Sequence, residues 1–172
     1  MKKLFTILML IPVILFGQNE PNTKIDLPKK NIYGELHVGL FSQGVMNYEK
    51  QIYSGEKISL YGRLGGGYGL IMDFYSTPNG WGGLGAVTML TGKKNNHFEL
   101  NAGGFLGIDK TTGYNRTGTG PSNYIYEKEV GYYPFVFPIF NVGYRYQKPD
   151  GGFIFRANAG IISLGLSFGY AF

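Results

Sequence analysis

The sequence contains no cysteine and only two histidines among its 172 residues. The absence of cysteine excludes a disulfide framework, a thiol nucleophile, a thiolate metal site and a lipid-modified N-terminal cysteine. With two imidazoles and no thiol, the residues predict no metal site and no cofactor. The glycine runs Gly65-Gly66-Gly67 and Gly103-Gly104 are not followed by the Lys-Ser/Thr pair and helix of a phosphate loop. Nucleotide chemistry is therefore not indicated either.

Long hydrophobic runs are also missing. No stretch reaches the roughly 18 uninterrupted apolar residues that a transmembrane helix needs. The most apolar stretch, Leu4 to Phe16, follows a positively charged start and contains Pro12. It predicts a signal peptide over residues 1–18, cleaved near Gly17-Gln18. The polar residues 19–31 then predict a short periplasmic lead-in.

Charge is sparse, whereas glycine and aromatic residues are abundant. Charged residues make up 16% of the chain, and the formal net charge of +5 is scattered, so no nucleic-acid partner is predicted. Glycine accounts for 28 residues and aromatics for 16%. So much glycine weakens ordinary strands, because it adds backbone entropy and no side chain to pack. In the crowded interior of a small barrel, however, glycine is often the residue that fits.

The stretch from Ile162 to Phe172 alternates with a period of two. Every second residue is apolar or aromatic, and the residues between them are serine, glycine or alanine. This period predicts a strand with one apolar face and one face almost without side chains. A soluble antiparallel strand instead turns a polar face to water. The small face suits the inside of a narrow closed barrel, although an edge strand of a soluble sheet is the alternative.

The same alternation recurs along the chain and predicts about eight strands. Residues 32–53 would overshoot a membrane that needs about 9–11 residues per strand, which favours two strands there over one, with a tight turn near Phe41 to Gly44. Short polar turns are predicted at 54–56, 92–96 and 148–151, and longer connections at 73–80 and 109–133. An even strand number with short turns at one end is typical of an all-β, antiparallel up-and-down transmembrane β-barrel, here over residues 32–172. The other strands are predicted over Lys57 to Leu70, Trp81 to Thr91, His97 to Ile108, Pro134 to Gln147, Gly152 to Ala159 and Ile162 to Phe172.

Two stretches carry a resemblance to a known group. Residues 144–157, YRYQKPDGGFIFRA, followed by the GLSFGY ending, resemble the C-terminal half of small outer-membrane β-barrel proteins of Bacteroidota-type bacteria. Asn47-Tyr48-Glu49-Lys50 is similar to that group's first hairpin, whereas His37 departs from it. The resemblance implies an eight-stranded barrel in contact with outer-membrane lipid. It also implies that the barrel-insertion machinery reads an aromatic signal formed by Phe168, Tyr170 and Phe172.

One face of the predicted strands collects charged residues. In a narrow barrel they cannot all stay hydrated, so they should pair across the lumen. Glu99 with Arg145 or Arg156 is the preferred pair. A polar plug that fixes strand register is the main interpretation, and a proton or ion path is the alternative. The predicted lumen network is Glu35, Glu49, Arg63, Glu99, Arg145 and Arg156, with His37 on the same face.

The connection 109–133 is rich in Gly, Thr, Asn and Tyr and lacks a clear period, so it predicts a long irregular extracellular loop. Tyrosine among small polar residues is typical of a binding surface for an extracellular ligand, whose identity the sequence does not give. Tyrosine near a strand end can equally be an interfacial anchor, which is favoured for Tyr132 and Tyr133. The candidate binding residues are Tyr114, Arg116, Tyr124 and Tyr126.

Three functions remain after this reading. The first is a non-enzymatic integral outer-membrane barrel with an envelope-structural or surface-interaction role. The second is a lipid-A-modifying barrel enzyme, which is disfavoured because neither His37 nor His97 is followed two residues on by serine, and both face the lumen. The third is a soluble periplasmic ligand-binding barrel, which would place its apolar face inward and its charged face outward.

Overall fold

The computed structural model describes residues 27–72, 77–92, 94–117 and 125–172, and side chains outside 112–129. Within these residues the chain forms eight β-strands, and no helix is long and apolar enough to cross a membrane. The strands are β1 (Lys30–Gly39), β2 (Phe41–Ser54), β3 (Ile58–Ile71), β4 (Asn79–Thr91), β5 (Asn96–Thr117), β6 (Ile125–Gln147), β7 (Gly152–Gly160) and β8 (Ser163–Ala171).

The strands close into one antiparallel barrel. Each strand pairs with the next along the chain, and β8 pairs with β1. At this seam the Lys30 amide donates to the Phe172 carbonyl at 3.0 Å, and the Phe172 amide donates to the Lys30 carbonyl at 2.9 Å. The predicted fold, an all-β up-and-down barrel of eight antiparallel strands, is confirmed.

Residues 32–53 form two strands, as the length argument favoured, but the turn lies earlier than predicted. The pair His37↔Gln43 centres the turn on Leu40, and Phe41 already begins β2. The Ser42 hydroxyl accepts from the Gly39 amide at 3.1 Å and donates to the Gly39 carbonyl at 3.0 Å. This local side-chain bonding satisfies backbone groups that a tight turn leaves free.

The prediction of an irregular loop over 109–133 is wrong for the residues that the structure describes. β5 and β6 continue as a paired ribbon from Asp109↔Tyr133 to Thr117↔Ile125. The sequence of this segment shows no clear period of two, so the alternation argument did not predict that both strands extend through it. We call this end of the barrel the ribbon end, and the opposite end, with the turns after β2, β4 and β6, the short-turn end.

Asn79-Gly80 is not a turn, contrary to the predicted loop over 73–80. Both residues belong to β4, with Leu70 opposite Asn79 and Gly69 opposite Gly80. A Cβ at Gly80 would overlap the carbonyl of Ile108 on β5. Glycine therefore serves here for close approach of two backbones rather than for a turn.

The barrel wall is apolar outside and polar inside. Leu36, Leu64 and Phe140 are 60%, 69% and 60% exposed, whereas Arg63, Arg145 and Arg156 are almost fully buried. The inward and outward faces that the alternation predicts for β1–β3 and β5–β8 are therefore the ones observed. Further large apolar side chains on the outer face are Val38, Met46, Val87, Leu106, Val142, Leu164 and Leu166.

The lumen is filled in three layers. At the ribbon end lies an apolar layer, in which the rings of Phe41 and Phe137 stack at 3.9 Å between centroids. A layer of charged side chains, the ionic layer, follows. At the short-turn end, Leu27 packs with Tyr61 and Leu90, and the Tyr61 hydroxyl donates to the Pro28 carbonyl at 2.9 Å. The buried members of the apolar layer are Phe41, Val45, Leu84, Phe105, Phe135 and Ile139.

Candidate functional site

All eight strands contribute to the ionic layer. Because alternate residues of each strand point inward, one polar side chain per strand reaches the same depth of the lumen. None of these side chains is more than 4% exposed. In strand order they are Glu35, Glu49, Arg63, Thr88, Glu99, Arg145, Arg156 and Ser167, so the six predicted network residues lie together.

Glu99 binds both arginines that the sequence offered as alternatives. Arg145 Nε donates to Glu99 Oε2 at 2.6 Å. Arg156 Nε donates to the same oxygen at 3.0 Å, and Arg156 Nη2 donates to Glu99 Oε1. The carboxylate thus holds β5, β6 and β7 together through charge-assisted hydrogen bonds.

The other two carboxylates extend the network around the barrel. Arg145 Nη2 lies 2.9 Å from Glu49 Oε2, and Arg156 Nη1 lies 3.4 Å from Glu35 Oε2. Arg63 donates to Glu35 Oε1. Three carboxylates and three guanidinium groups therefore face one another, and their formal charges cancel.

Neutral side chains complete the layer. The Tyr33 hydroxyl donates to Glu49 Oε1 at 2.6 Å, and the Arg156 guanidinium lies 4.2 Å from the centroid of the Tyr33 ring. Thr88 donates to Glu49 at 3.0 Å, and Asn101 donates to Glu99 at 2.6 Å. Every carboxylate is thus bound by several donors on different strands. This arrangement can fix strand register, because a one-residue slip would turn its charges to the outer face.

A cavity of about 110 Å³, which we call the rim pocket, lies beside the apolar layer at the ribbon end. At its floor His37 Nδ1 lies 3.3 Å from Ser163 Oγ, and His37 Nε2 lies 3.4 Å from Glu35 Oε1. A hydroxyl, an imidazole and a carboxylate thus follow one another in space. The pocket is lined by His37, Phe41, Gln43, residues 137–141 and residues 161–163.

Ser163 was not predicted, because it lies far from both histidines along the chain. Barrel closure brings β8 beside β1 and pairs Gly39 with Ser163 and His37 with Gly165. The missing side chain of Gly165 leaves room for the His37 ring. Pairing the first predicted strand with the last would have found the contact.

The remaining predicted residues lie apart from both features. Phe168, Tyr170 and Phe172 are more than half exposed on the outer face near the seam. The backbones of Tyr114, Arg116 and Tyr126 belong to the ribbon, where Arg116 pairs with Tyr126. Tyr124 and the predicted signal peptide, residues 1–18 with their cleavage site, lie outside the described residues.

Comparisons with known proteins give only a remote likeness, and it is in structure. No protein-family model matches the chain, and no curated protein is significantly similar to it in sequence. Among solved structures, it is similar to the N-terminal β-barrel domain of Pseudomonas aeruginosa OprF, with 15% sequence identity and a TM-score of 0.47. The match covers 85% of this chain and 98% of that one.

Proposed function

We propose that the protein is an integral outer-membrane β-barrel with a non-enzymatic role in envelope structure or surface interaction. The observation that carries the proposal is the inverted distribution of side chains. The ionic layer is buried in the lumen, and large apolar side chains cover the outer face.

This distribution is stable only where the outer face meets an apolar medium. In water the exposed Leu, Ile, Val and Phe side chains would form a continuous apolar surface far larger than soluble monomers present. A soluble ligand-binding barrel has the opposite arrangement, with an apolar interior. In lipid the same outer side chains are solvated, and closure leaves no unpaired edge among the barrel strands below the ribbon end.

The strand lengths suit a bilayer. β1 has ten residues, and β7 and β8 have nine each. Ten residues rise roughly 33 Å and, at a tilt near 45°, cover about 23 Å, close to the ~25 Å apolar band of outer-membrane barrels. Short turns face the periplasm in such barrels, so the ribbon end is expected to face outward from the cell.

The lumen favours a structural role over transport. Apolar layers lie on both sides of the ionic layer, and its carboxylates are saturated by arginine and neutral donors. A water-filled path would need mobile hydrated charges in a lumen that about eight strands leave only wide enough for side chains.

Membrane fractionation with heat-modifiable gel mobility tests the proposal. The unheated protein is expected in the outer-membrane fraction, migrating differently from the boiled protein. Protease added to intact cells should cut the ribbon between 109 and 133 and leave the turn at 54–56 intact. Recovery in the soluble periplasmic fraction, without a mobility shift, would contradict the proposal.

The Ser163–His37–Glu35 sequence of contacts favours a second candidate, an acyl hydrolase. In that reaction Ser163 Oγ attacks an ester carbonyl, His37 Nδ1 takes the hydroxyl proton and then returns it to the departing alcohol, and water later releases the acyl group. Incubation with purified lipid A would detect it as acyl loss that Ser163→Ala abolishes and Ser42→Ala retains. No acyl loss from the wild-type barrel excludes this candidate.

A further inference from the structure

The barrel wall has a notch at the ribbon end. Pairing of β6 with β7 stops at Asn141↔Gly160, whereas pairing of β6 with β5 continues to Thr117↔Ile125. On its β7 side, β6 therefore rises past the β7–β8 turn without a neighbouring strand. The notch is bounded by β6 on one side and by the turn at 160–162 on the other.

Two prolines line this free edge. The Gln147 amide donates to Asn95, on the β5 side, so the odd-numbered amides of β6 point to β5 and the even-numbered ones to the notch. Pro134 and Pro138 stand at even positions. Proline has no amide hydrogen, and it is the residue that sheets tolerate on an open edge. At these two positions the edge therefore has no amide hydrogen that would need a partner, and it can remain open there.

The rim pocket lies at the notch and joins the lumen to the outer face. Its lumen side is formed by Phe41, Gln43 and Asn141 among others. Its outer side is formed by Pro138, Phe140 and Ile161, of which the last two are 60% and 84% exposed. A molecule in the surrounding apolar phase can therefore enter sideways.

Two buried polar atoms in the pocket have no hydrogen-bond partner. They are Gln43 Oε1 and Asn141 Nδ2, on side chains that are each at most 5% exposed. Unpaired buried polar atoms are costly, which makes them informative about a missing partner. Together they offer a donor and an acceptor without net charge, surrounded by aromatic and aliphatic groups.

We propose that the rim pocket binds a neutral amphiphile from the outer leaflet. Its alkyl chain passes through the notch, and its hydroxyl or ester carbonyl bonds to Gln43 and Asn141. The cavity is of the order of the ~150 Å³ cavity that holds benzene, so it takes the polar group with a few carbons and leaves the rest of the chain in lipid. This inference rests on the proposed membrane location.

Photolabelling of the folded wild-type protein in detergent micelles tests the inference. The probe is dodecanol with a diazirine on its chain, and dodecane with the same diazirine is the control. We expect the alcohol to label residues 137–141 and 161–163 several-fold more than Leu36 or Leu64, with competition by unlabelled dodecanol and not by dodecane. Asn141→Leu should remove this enrichment, whereas Asn96→Leu at the opposite end should keep it. Gln43→Met gives an independent variant that retains side-chain volume.

The possible results distinguish failure of the pocket proposal from failure of the proposed membrane-barrel function. Uniform labelling of the outer face, or enrichment that persists in both Asn141→Leu and Gln43→Met, overturns the pocket and leaves the membrane barrel intact if gel mobility still shifts on heating. Equal enrichment by the alkane also overturns polar recognition. A soluble protein with no mobility shift and no labelling contradicts the proposed function itself.

Discussion

The ionic layer and the apolar layer occupy the same lumen but differ in how completely the buried polar atoms beside them are hydrogen-bonded. Each carboxylate of the ionic layer accepts from at least three side chains, as Glu99 does from Asn101, Arg145 and Arg156. Beside the apolar layer, two buried polar atoms at the rim pocket lack partners. The difference separates a region that specifies the fold from a region available for a ligand. It also predicts that substitutions destabilise the two layers for different reasons, through an unpaired charge in the ionic layer and through steric overlap in the apolar layer.

The largest effect is expected from Glu99→Leu. The substitution leaves the buried Arg145 and Arg156 without their shared carboxylate, at a cost of about 3–5 kcal/mol. Urea unfolding in detergent micelles or vesicles measures the loss. Glu56→Leu, in the exposed β2–β3 turn, is the matched control and should leave the midpoint nearly unchanged. Equal midpoints for the wild type and Glu99→Leu would mean that the ionic layer does not stabilise the barrel.

An intermediate effect is expected in the apolar layer from Gly107→Ala. A Cβ at Gly107 would overlap the Phe135 ring, so the ring must move, at a cost of about 1–3 kcal/mol. Gly104 lies on the same strand but faces outward, where the Phe137 carbonyl is 3.6 Å from the position of an added Cβ.

Gly104→Ala is therefore expected to be neutral or to raise stability by roughly 0.4–1 kcal/mol, because it reduces the freedom of the unfolded chain. The same urea experiment compares the two variants. A destabilisation of equal size at both positions would show that backbone strain, and not the packing of rings over glycine, determines the cost.

Among the destabilising substitutions, the smallest loss of stability is expected at the short-turn end. Tyr61→Phe removes the hydrogen bond to the Pro28 carbonyl and keeps the ring that packs on Leu27 and Leu90, so it should cost about 0.5–1.5 kcal/mol. Hydrogen exchange at the Leu27 and Lys29 amides gives a local readout. Faster exchange at these amides, without a change at the seam, would show that the Tyr61 hydroxyl holds the segment around Pro28 in place. Unchanged exchange would show that the ring packing alone is enough.

Strand alternation predicted the features that each strand determines by itself, namely which of its side chains face the lumen and which face outward. Whether Glu35, Arg63 or Leu64 faces in or out follows from a period of two, because a closed wall has two unlike sides. The pairing of Glu99 with an inward arginine followed from the same parity plus the cost of leaving a charge unpaired.

The remaining features depend on which strands are neighbours and how far they extend. The ribbon was missed because the Gly, Thr, Asn and Tyr residues of 109–133 follow no clear period of two in the sequence. Ser163 was missed because its proximity to His37 arises only when β8 closes on β1. The notch could not be predicted, because the residue patterns of β6 and β7 do not show that β6 extends beyond the end of β7.

The seam between β1 and β8 has a kinetic consequence. All other strand pairs join neighbours along the chain, whereas pairs such as Asn31↔Ala171 join its two extremes. This contact has the greatest sequence separation in the fold, and contacts of that kind are slow to form. Until it forms, β1 and β8 are both open edges able to pair with another chain. The interval before closure is therefore the period in which this barrel is most exposed to misassembly.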